Sequence, residues 1–229
     1  MHTKEPRVVV VSNRVPKQAI SATATKRTSQ SVSGLVSGLG PALKNRESMW
    51  FGYSGQALPY QENNTPKTIR IGSVDVVTVD LSEDQVRDFY TGFCIGTLWP
   101  LFHSICSPDR LNIYREEYQK EYQIYRQINR YFATTLFPLL RQDDIVWVHD
   151  YQQIPIGMEL RRLGWTGSLG FFLHTPFPPI EILTSLPQAK ELLQDLAAYE
   201  LVGFQTQRDC SNCSEAMLAE IGGTFNGQI

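Results

Sequence analysis

Short apolar runs rich in β-branched and aromatic residues recur along the chain, and polar stretches separate them. The runs are RVVVVS (7 to 12), VDVVTVDL (74 to 81), DIVWVHD (144 to 150), SLGFFLH (168 to 174) and ELVGFQT (200 to 206). Continuous apolar runs of this length are typical of strands inside a parallel sheet, which is buried on both faces. The pattern therefore predicts five buried β-strands.

Amphipathic helical patterns lie between several of these runs. In the clearest one, over 116 to 140, the apolar residues recur every three or four positions and share one face: Tyr118, Tyr122, Tyr125, Ile128, Phe132, Leu136 and Leu139. This spacing favours a face packed on the sheet over a tyrosine surface for ligand stacking. The residue Ser82, three positions before Gln85, has the spacing of a capping box. We predict further helices over 35 to 45, 82 to 93, 155 to 163, 188 to 199 and 208 to 221.

The alternation of strands and helices indicates β-α-β units, which connect through right-handed crossovers. We therefore predict an α/β fold, with a mostly parallel sheet covered by helices on both faces, formed by residues 1–229 as one domain. The segment 51 to 73 carries clusters of glycine, proline and asparagine and is interpreted as a hairpin or a loop excursion. The stretch SATATKRTSQS is interpreted as a polar loop.

Composition and charge narrow the classes of function. The chain has 229 residues, of which 42% are hydrophobic and 19% charged, and a formal net charge of -2. Such a charge does not attract nucleic acid or anionic lipid in general, so local groups must hold any anionic ligand. There is no membrane-spanning apolar segment and no secretory signal at the N-terminus, and we expect a cytoplasmic protein.

The cysteines give no strong sign of metal binding. Cys210 and Cys213 have CxxC spacing, but Cys94 and Cys106 do not form a second close pair. We interpret all four as ordinary thiols and expect no metal site.

Polar residues follow the predicted strands where binding sites of α/β proteins occur, outside the carboxyl ends of the strands. Asn13 and Arg14 follow the first run, His149 and Asp150 end the third, and His174 ends the fourth. Because these strand ends share one edge of a parallel sheet, the sequence predicts a binding cleft there. Three prolines within the four residues 176 to 179 predict a stiff, extended loop after His174.

The residue types at this edge fit a sugar phosphate. Arg14 offers a planar fork for phosphate oxygens and precedes the glycine-containing SVSGLVSGLG, although a plain turn explains that stretch equally well. Asp150 is suited to binding sugar hydroxyl groups or to steadying a positive group, or else it bonds neighbouring loops, as His174 also could. Trp50 and Trp99 lie beside glycine and proline, where they either form stacking walls for a sugar or pack in the core.

Eight motifs together carry a resemblance to a known family. They are VVVVSNRVP, SGLVSGL, MWFGYSG, TLWPLFH, QINRYFA, DIVWVHDYQQIP, LGFFLHTPFPP and ELVGFQT, in the order and approximate spacing of the N-terminal half of trehalose-6-phosphate synthases. These enzymes are retaining GT-B glycosyltransferases of family 20, with two Rossmann-like domains facing a cleft. The resemblance implies transfer of glucose from UDP-glucose to glucose 6-phosphate, without a cofactor or a catalytic metal.

The resemblance also assigns roles to residues. It implies that Arg14 holds the acceptor phosphate and that Tyr90 and Trp99 belong to the acceptor site. Asp150 resembles the aspartate on the acceptor hydroxyls, and His174 the histidine that contacts the transferred glucose. Gly34 matches a glycine in the family's turn near the phosphates of the nucleotide sugar. The family's favoured chemistry is front-face displacement, in which the protein mainly positions both sugars and stabilises the leaving group.

Two features leave alternatives open. The family's UDP-binding residues belong to a second domain, which this chain does not contain, so we expect the 229-residue chain alone to be inactive. Several positions near the acceptor pocket differ from the family pattern: Cys94, Ile95, Gly96, Gln152, Gln153 and Thr175. A glucosylglycerol-phosphate synthase with another phosphorylated acceptor, or a non-catalytic domain that binds a sugar phosphate, therefore remains an alternative. Whether the chain forms a homo-oligomer is open.

Overall fold

The fold is built on a seven-stranded sheet in the order β3-β4-β2-β1-β5-β6-β7. The structure is a computed structural model that describes residues 5–15, 43, 46–59, 65–105, 113 and 115–224. The strands are β1 (Val8–Arg14), β2 (Ser48–Leu58), β3 (Lys67–Ile71), β4 (Val74–Ser82), β5 (Ile145–His149), β6 (Ser168–Phe172) and β7 (Leu201–Gly203). All neighbouring strands are parallel except β3, which is antiparallel to β4. The predicted α/β fold with a mostly parallel sheet is confirmed, as are the five predicted strands.

The segment 51 to 73 is only partly a hairpin. The β3 and β4 strands form the expected hairpin at the edge of the sheet, but β2 is a central strand between β1 and β4, so its interpretation as a loop was wrong. Glycines usually weaken a strand, and two of them interrupt this apolar run. At Gly52 the glycine has a specific purpose, because the backbone of β1 passes close to it.

Helices connect the strands. They are α1 (Glu83–Gln85), α2 (Trp99–Phe102), α3 (Tyr118–Leu136), α4 (Ile156–Arg162), α5 (Ile180–Leu183), α6 (Ala189–Leu196) and α7 (Gln207–Glu220), with 3-10 turns at Phe137–Leu139 and Tyr151–Gln153. The helix predicted over 82 to 93 begins at the expected capping box, since Ser82 and Gln85 bond each other's backbone amides. It then continues as a π-helical segment, Val86–Leu98, which joins α1 to α2.

Two hydrophobic cores lie against the two faces of the sheet. Val9 and Val11 of β1 belong to the larger core, whereas Val8 and Val10 belong to the smaller one, as the two-residue period of a strand requires. The tyrosine-rich face of α3 is buried in the larger core, so its predicted packing is confirmed.

The predicted helix over 35 to 45 and the polar loop lie outside the described residues, apart from Leu43, which is buried in the smaller core. No helix in the described ranges is long and apolar enough to cross a membrane.

Candidate functional site

A bulge at the end of β1 directs Arg14. Ser12 is paired with Gly52 and Arg14 with Tyr53, so Asn13 is an extra residue on β1. The Ser12 hydroxyl stabilises this arrangement, because it donates to the Arg14 carbonyl at 3.0 Å and accepts from Trp50 Nε1 at 2.8 Å. Bulges re-aim side chains at the ends of strands, and this one brings Arg14 to the carboxyl edge of the sheet.

The guanidinium group of Arg14 lies against the backbone of β2. A Cβ atom on Gly55 would be 2.1 Å from Arg14 Nη2, and the φ of Gly55 is +87°, so glycine suits this position for two reasons. The hydrogen bond from Arg14 Nη2 to the Gly55 carbonyl is long, at 3.5 Å. The side chain is exposed, and no carboxylate among the described residues pairs with it. Most of the N–H donors of Arg14 are therefore available to a ligand.

Asp150 has an unusual backbone conformation directly after β5. Its φ of 74° and ψ of 162° lie in a region that side chains with a Cβ rarely adopt. The Asp150 Oδ1 atom accepts from the backbone amides of Tyr151 at 3.1 Å and His174 at 3.3 Å. Burial raises the pKa of Asp150, while these two amide bonds oppose the increase. Strain of this kind collects at functional sites, where the surrounding structure maintains it.

The ends of β5 and β6 bring two histidines together. His149 Nδ1 and His174 Nε2 are 2.9 Å apart, although 25 positions separate the residues in sequence. His149 is buried, and burial, reinforced by His174, lowers its pKa to about 3. The His174 ring is half-buried, and burial also lowers its pKa, although Asp150 opposes this effect. Both rings are therefore neutral at neutral pH.

Tyr90, on the π-helical segment, is influenced by charges from both Arg14 and Asp150. Burial is the main cause that raises its pKa, and two nearby charges also act on the phenol: Arg14 lowers the pKa and Asp150 raises it. Arg14 ends β1 and Asp150 directly follows β5, and because these strands are parallel neighbours, both residues lie at the same edge of the sheet. Tyr90 is 39% exposed, so ligands can reach it.

The proline loop after β6 is fixed from behind by α7. The Asp209 Oδ1 atom accepts from the backbone amide of Phe177 at 2.9 Å, and Asn212 Nδ2 donates to the Phe177 carbonyl at 2.8 Å. Phe177 itself is buried in the larger core. The stiff, extended loop predicted after His174 is thus held at its centre.

Comparisons with known proteins agree with this architecture. The family model for glycosyltransferase family 20 matches residues 6–221. The chain belongs to glycosyltransferase family 20. It is 36% identical over 223 residues to a trehalose-6-phosphate synthase of Sinorhizobium fredii, covering 96% of this chain and 46% of that protein. A trehalose-6-phosphate synthase of Escherichia coli is 38% identical over 204 residues, covering 89% of this chain and 40% of that protein.

Solved structures of this family show the same fold. The crystal structure of an α,α-trehalose-phosphate synthase (UDP-forming) from Burkholderia vietnamiensis matches with a TM-score of 0.85 and 34% identity, covering 99% of this chain and 46% of that one. The expected Rossmann-like domain of a GT-B glycosyltransferase is thus confirmed. The chain spans less than half the length of the relatives that it matches.

The structure brings together four of the residues that the sequence singled out. Arg14, Tyr90, Asp150 and His174 are linked at one edge by the hydrogen bonds and charge effects described above. The roles of these four residues in binding a substrate remain predictions from the family resemblance.

The other three candidates have no described contact with this group. Trp50 is only 5% exposed and packs in the smaller core, so it contacts Ser12 rather than the surface where Arg14 ends. Trp99 is partly buried beside His103, with ring centres 4.2 Å apart, and none of its described contacts joins it to Arg14 or Asp150. Gly34 lies outside the described residues.

Sequence reasoning missed one residue and one contact at this edge. Tyr53 lies beside Arg14: burial raises its pKa and the arginine charge opposes the increase. Strand alternation places Tyr53 and Trp50 on opposite faces, which the sequence would have shown had β2 been recognised. The contact is the one between His149 and His174: the sequence placed both residues at this edge, but their hydrogen bond follows from the parallel pairing of β5 with β6.

Comparing two substitutions at Asp150 isolates the backbone strain. The variants Asp150→Ala and Asp150→Gly both lose the carboxyl group and its two amide bonds, but only alanine retains a Cβ. We expect the glycine variant to be more stable than the alanine variant by about 1–3 kcal/mol in urea denaturation. At the exposed α3 position Gln127, the same pair should show the opposite order by about 1 kcal/mol. Equal stabilities at Asp150 would contradict the strain.

The buried His149 predicts a loss of stability in acid. Its folded pKa of about 3 lies below the ordinary value of 6.5, so the unfolded chain binds the proton more readily. The contribution to stability is complete above pH 6.5 and is lost as the pH falls toward 3. At pH 5 we expect a loss of roughly 2 kcal/mol from this group. Denaturant titrations across this pH range measure it, and in His149→Asn the pH dependence should be shallower; an identical slope would refute it.

Proposed function

We propose that the chain forms the acceptor-side domain of a retaining glucosyltransferase, which transfers glucose from UDP-glucose to glucose 6-phosphate. Relatives with 33% to 38% identity support this proposal in two ways, because they include trehalose-6-phosphate synthases and solved structures with bound sugar ligands. One solved relative, from Burkholderia xenovorans, is a complex with glucose-6-phosphate, and it matches with a TM-score of 0.78 and 35% identity over 93% of this chain. Another, from Escherichia coli, is bound with UDP-2-fluoro glucose.

The observation that carries the proposal is the position of Arg14. Its exposed guanidinium lies at the same edge as Asp150 without a described carboxylate to neutralise it. An arginine fork presented in this way matches phosphate oxygens, which it can bind with two parallel hydrogen bonds. The net charge of the chain is -2, so long-range attraction does not account for anion binding and a local cation has to supply it.

The remaining edge residues fit the sugar. Arg14 would hold the phosphate of the acceptor, and Asp150 would accept hydrogen bonds from its hydroxyl groups. His174, on the neighbouring strand, would contact the transferred glucose, with Tyr90 and Trp99 along the acceptor. In this arrangement the domain acts by positioning, because a fixed orientation of the two sugars lowers the entropic part of the barrier.

We place the groups that bind the UDP diphosphate in the part of the relatives that this chain does not match. The domain described here would then supply one wall of the cleft. Its own expected property is acceptor binding, and glucosyl transfer is expected only when both walls are present.

The positions that depart from the family pattern do not exclude a different acceptor, because Ile95 is 38% exposed and Gly96 and Thr175 are only partly buried. Cys94 and Gln153 are fully buried, and Gln152 is 8% exposed, so these three pack in the interior rather than line an open surface. Product analysis with glucose 6-phosphate or glycerol 3-phosphate as the acceptor distinguishes the two enzymes. A domain that binds sugar phosphate without catalysis would show binding and no product with either acceptor.

The substitution Arg14→Ala tests the phosphate site. We expect glucose 6-phosphate to bind more weakly by roughly 1.5 to 3 kcal/mol, about 10- to 150-fold, because a charge-assisted contact is lost. Isothermal titration calorimetry measures the affinity. The matched control is Arg70→Ala, which removes an exposed arginine of β3 that pairs with Asp75 of β4 and should leave binding unchanged. Unchanged affinity in Arg14→Ala, or no binding by the unmodified chain, would overturn the proposed site.

A further inference from the structure

The two histidines at this edge form a defined hydrogen bond. Their ring centres are 5.2 Å apart and the ring planes are inclined by 27°, with His149 Nδ1 and His174 Nε2 at 2.9 Å. Nearly coplanar rings that approach through their nitrogens meet edge to edge, as an N–H···N bond requires. The ring of Trp147 also lies 4.6 Å from the His149 ring, centre to centre, and packs against the imidazole.

The proton between these two nitrogens can belong to either ring, which gives two possible arrangements. Both rings are neutral, so each carries a single N–H, and one ring must donate while the other accepts. If His149 donates from Nδ1, its Nε2 is bare and His174 carries its own proton on Nδ1. If His174 donates from Nε2, the proton of His149 lies on Nε2 and the Nδ1 of His174 is bare.

Burial of His149 distinguishes the two arrangements. Its Nε2 atom is inaccessible and has no hydrogen-bond partner in the part of the chain that the structure describes. A proton on that atom would create a buried donor without an acceptor, which is rare in folded proteins, whereas an under-satisfied acceptor occurs more often. This favours His149 as the donor through Nδ1.

Asp150 favours the same arrangement. Its carboxyl group acts on the His174 ring and opposes the effect of burial on the His174 pKa. It also accepts from the backbone amide of His174, which keeps it beside this residue. Because Oδ1 is held at the His174 backbone amide, the negative charge lies on the backbone side of the ring, where Nδ1 is, and favours a proton on Nδ1.

We propose that His149 is a positioning residue, which donates to His174 Nε2 and thereby fixes His174 in the form that presents Nδ1–H to an oxygen atom of the bound sugar. The sugar in this statement rests on the proposed function, whereas the tautomer does not. In this form His174 donates to a hydroxyl or phosphate oxygen of the ligand. The described residues contain no partner for Nδ1 that would compete with such a ligand.

NMR spectroscopy of the imidazole nitrogens tests the assignment directly. In the 229-residue chain labelled with ¹⁵N-histidine, long-range ¹H–¹⁵N correlations distinguish a protonated ring nitrogen from a bare one in each of the four histidines. At neutral pH we expect the proton on Nδ1 in both His149 and His174. Free imidazole side chains favour Nε2–H, so this result would be a signature of the pair. A proton on Nε2 of His174, or a doubly protonated ring, would overturn the proposal.

Two substitutions separate the donor from the bulk of His149. In His149→Asn the side-chain amide can occupy the place of Nδ1–H, and His174 should retain its Nδ1–H form. In His149→Phe the ring remains without a donor, and His174 should change to Nε2–H. The same tautomer in all three proteins would show that His149 does not set it. If the phenylalanine variant fails to fold, the unmodified chain and the asparagine variant still decide the assignment.

Ligand titration then tests the sugar contact. With UDP-glucose and glucose 6-phosphate as separate probes, His149→Phe should weaken the binding of the sugar that contacts His174 roughly 3- to 10-fold, and His149→Asn should preserve it. Equal affinities in both variants would overturn the contact. If the unmodified chain binds neither sugar, the proposed function fails, while the tautomer measured without ligand remains an independent result.

Discussion

Replacing Gly52 by alanine is expected to destabilise the protein by roughly 3 kcal/mol, a large effect for the addition of one methyl group. The new Cβ would be 2.3 Å from the carbonyl oxygen of Ser12, which belongs to the backbone of a central strand and cannot rotate away. It would also come into contact with Val15 Cγ1 at 3.4 Å. Because Ser12 begins the bulge that directs Arg14, we expect weaker glucose 6-phosphate binding as well. Denaturant unfolding and calorimetry measure the two effects.

A second glycine in the same sheet provides the matched control for Gly52. In Gly170→Ala, on β6, the new Cβ would meet Trp147 Cδ1 at 3.5 Å, which is ordinary van der Waals contact. An alanine without strain restricts the unfolded chain, so this variant should be unchanged or more stable by about 0.5–1 kcal/mol. If both variants unfold at the same denaturant concentration, the close approach of β1 to Gly52 does not determine stability.

Removing Arg7 should have an effect of similar or greater size. Arg7 Nε and Nη2 bind the two carboxylate oxygens of Asp144 at 2.9 and 2.6 Å, and the Asp144 side chain is completely buried. Arg7 Nη2 also donates to the Leu139 carbonyl at 2.8 Å. Arg7→Met would leave a buried carboxylate without its cation, and we expect a loss of about 3–5 kcal/mol in denaturant unfolding.

The double variant Arg7→Met with Asp144→Asn separates the unpaired charge from the lost packing. Asparagine retains an acceptor for the backbone amide of Arg141, which Asp144 binds at 2.8 Å, and introduces no charge. We expect the double variant to recover a large part of the stability that the single variant loses. A double variant as unstable as Arg7→Met alone would mean that the buried charge is not the cause.

Five of the seven strands were predictable from continuous apolar runs, which burial on both faces of the sheet requires. The run at Val8–Val11 has no polar interruption, and neither does the run at 169 to 173. The same property hides which face a side chain occupies, since both faces are apolar. Trp50 was therefore open to a binding role in the sequence, whereas the register of β2 places it on the face away from Tyr53 and Arg14.

The site was predictable only as far as strand ends determine it. Arg14, Asp150 and His174 could be assigned to one edge, because the carboxyl ends of parallel strands meet there. The backbone conformation of Asp150 could not be predicted from the sequence, because its φ of 74° is imposed by surrounding contacts rather than by its own residue type. The pairing of His149 with His174 likewise depends on the register between β5 and β6, which a single sequence does not specify.

The hydroxyl of Ser12 joins the two sides of the sheet, because it accepts from Trp50 in the smaller core and donates to the carbonyl of Arg14. A substitution in the smaller core around Trp50, for instance at Val76, would therefore shift the guanidinium group of Arg14 through the Ser12 hydroxyl. Substitutions in the smaller core would then alter the affinity for an anion bound at Arg14, although none of these residues contacts the anion. A search for affinity mutants that is confined to the cleft would not find them.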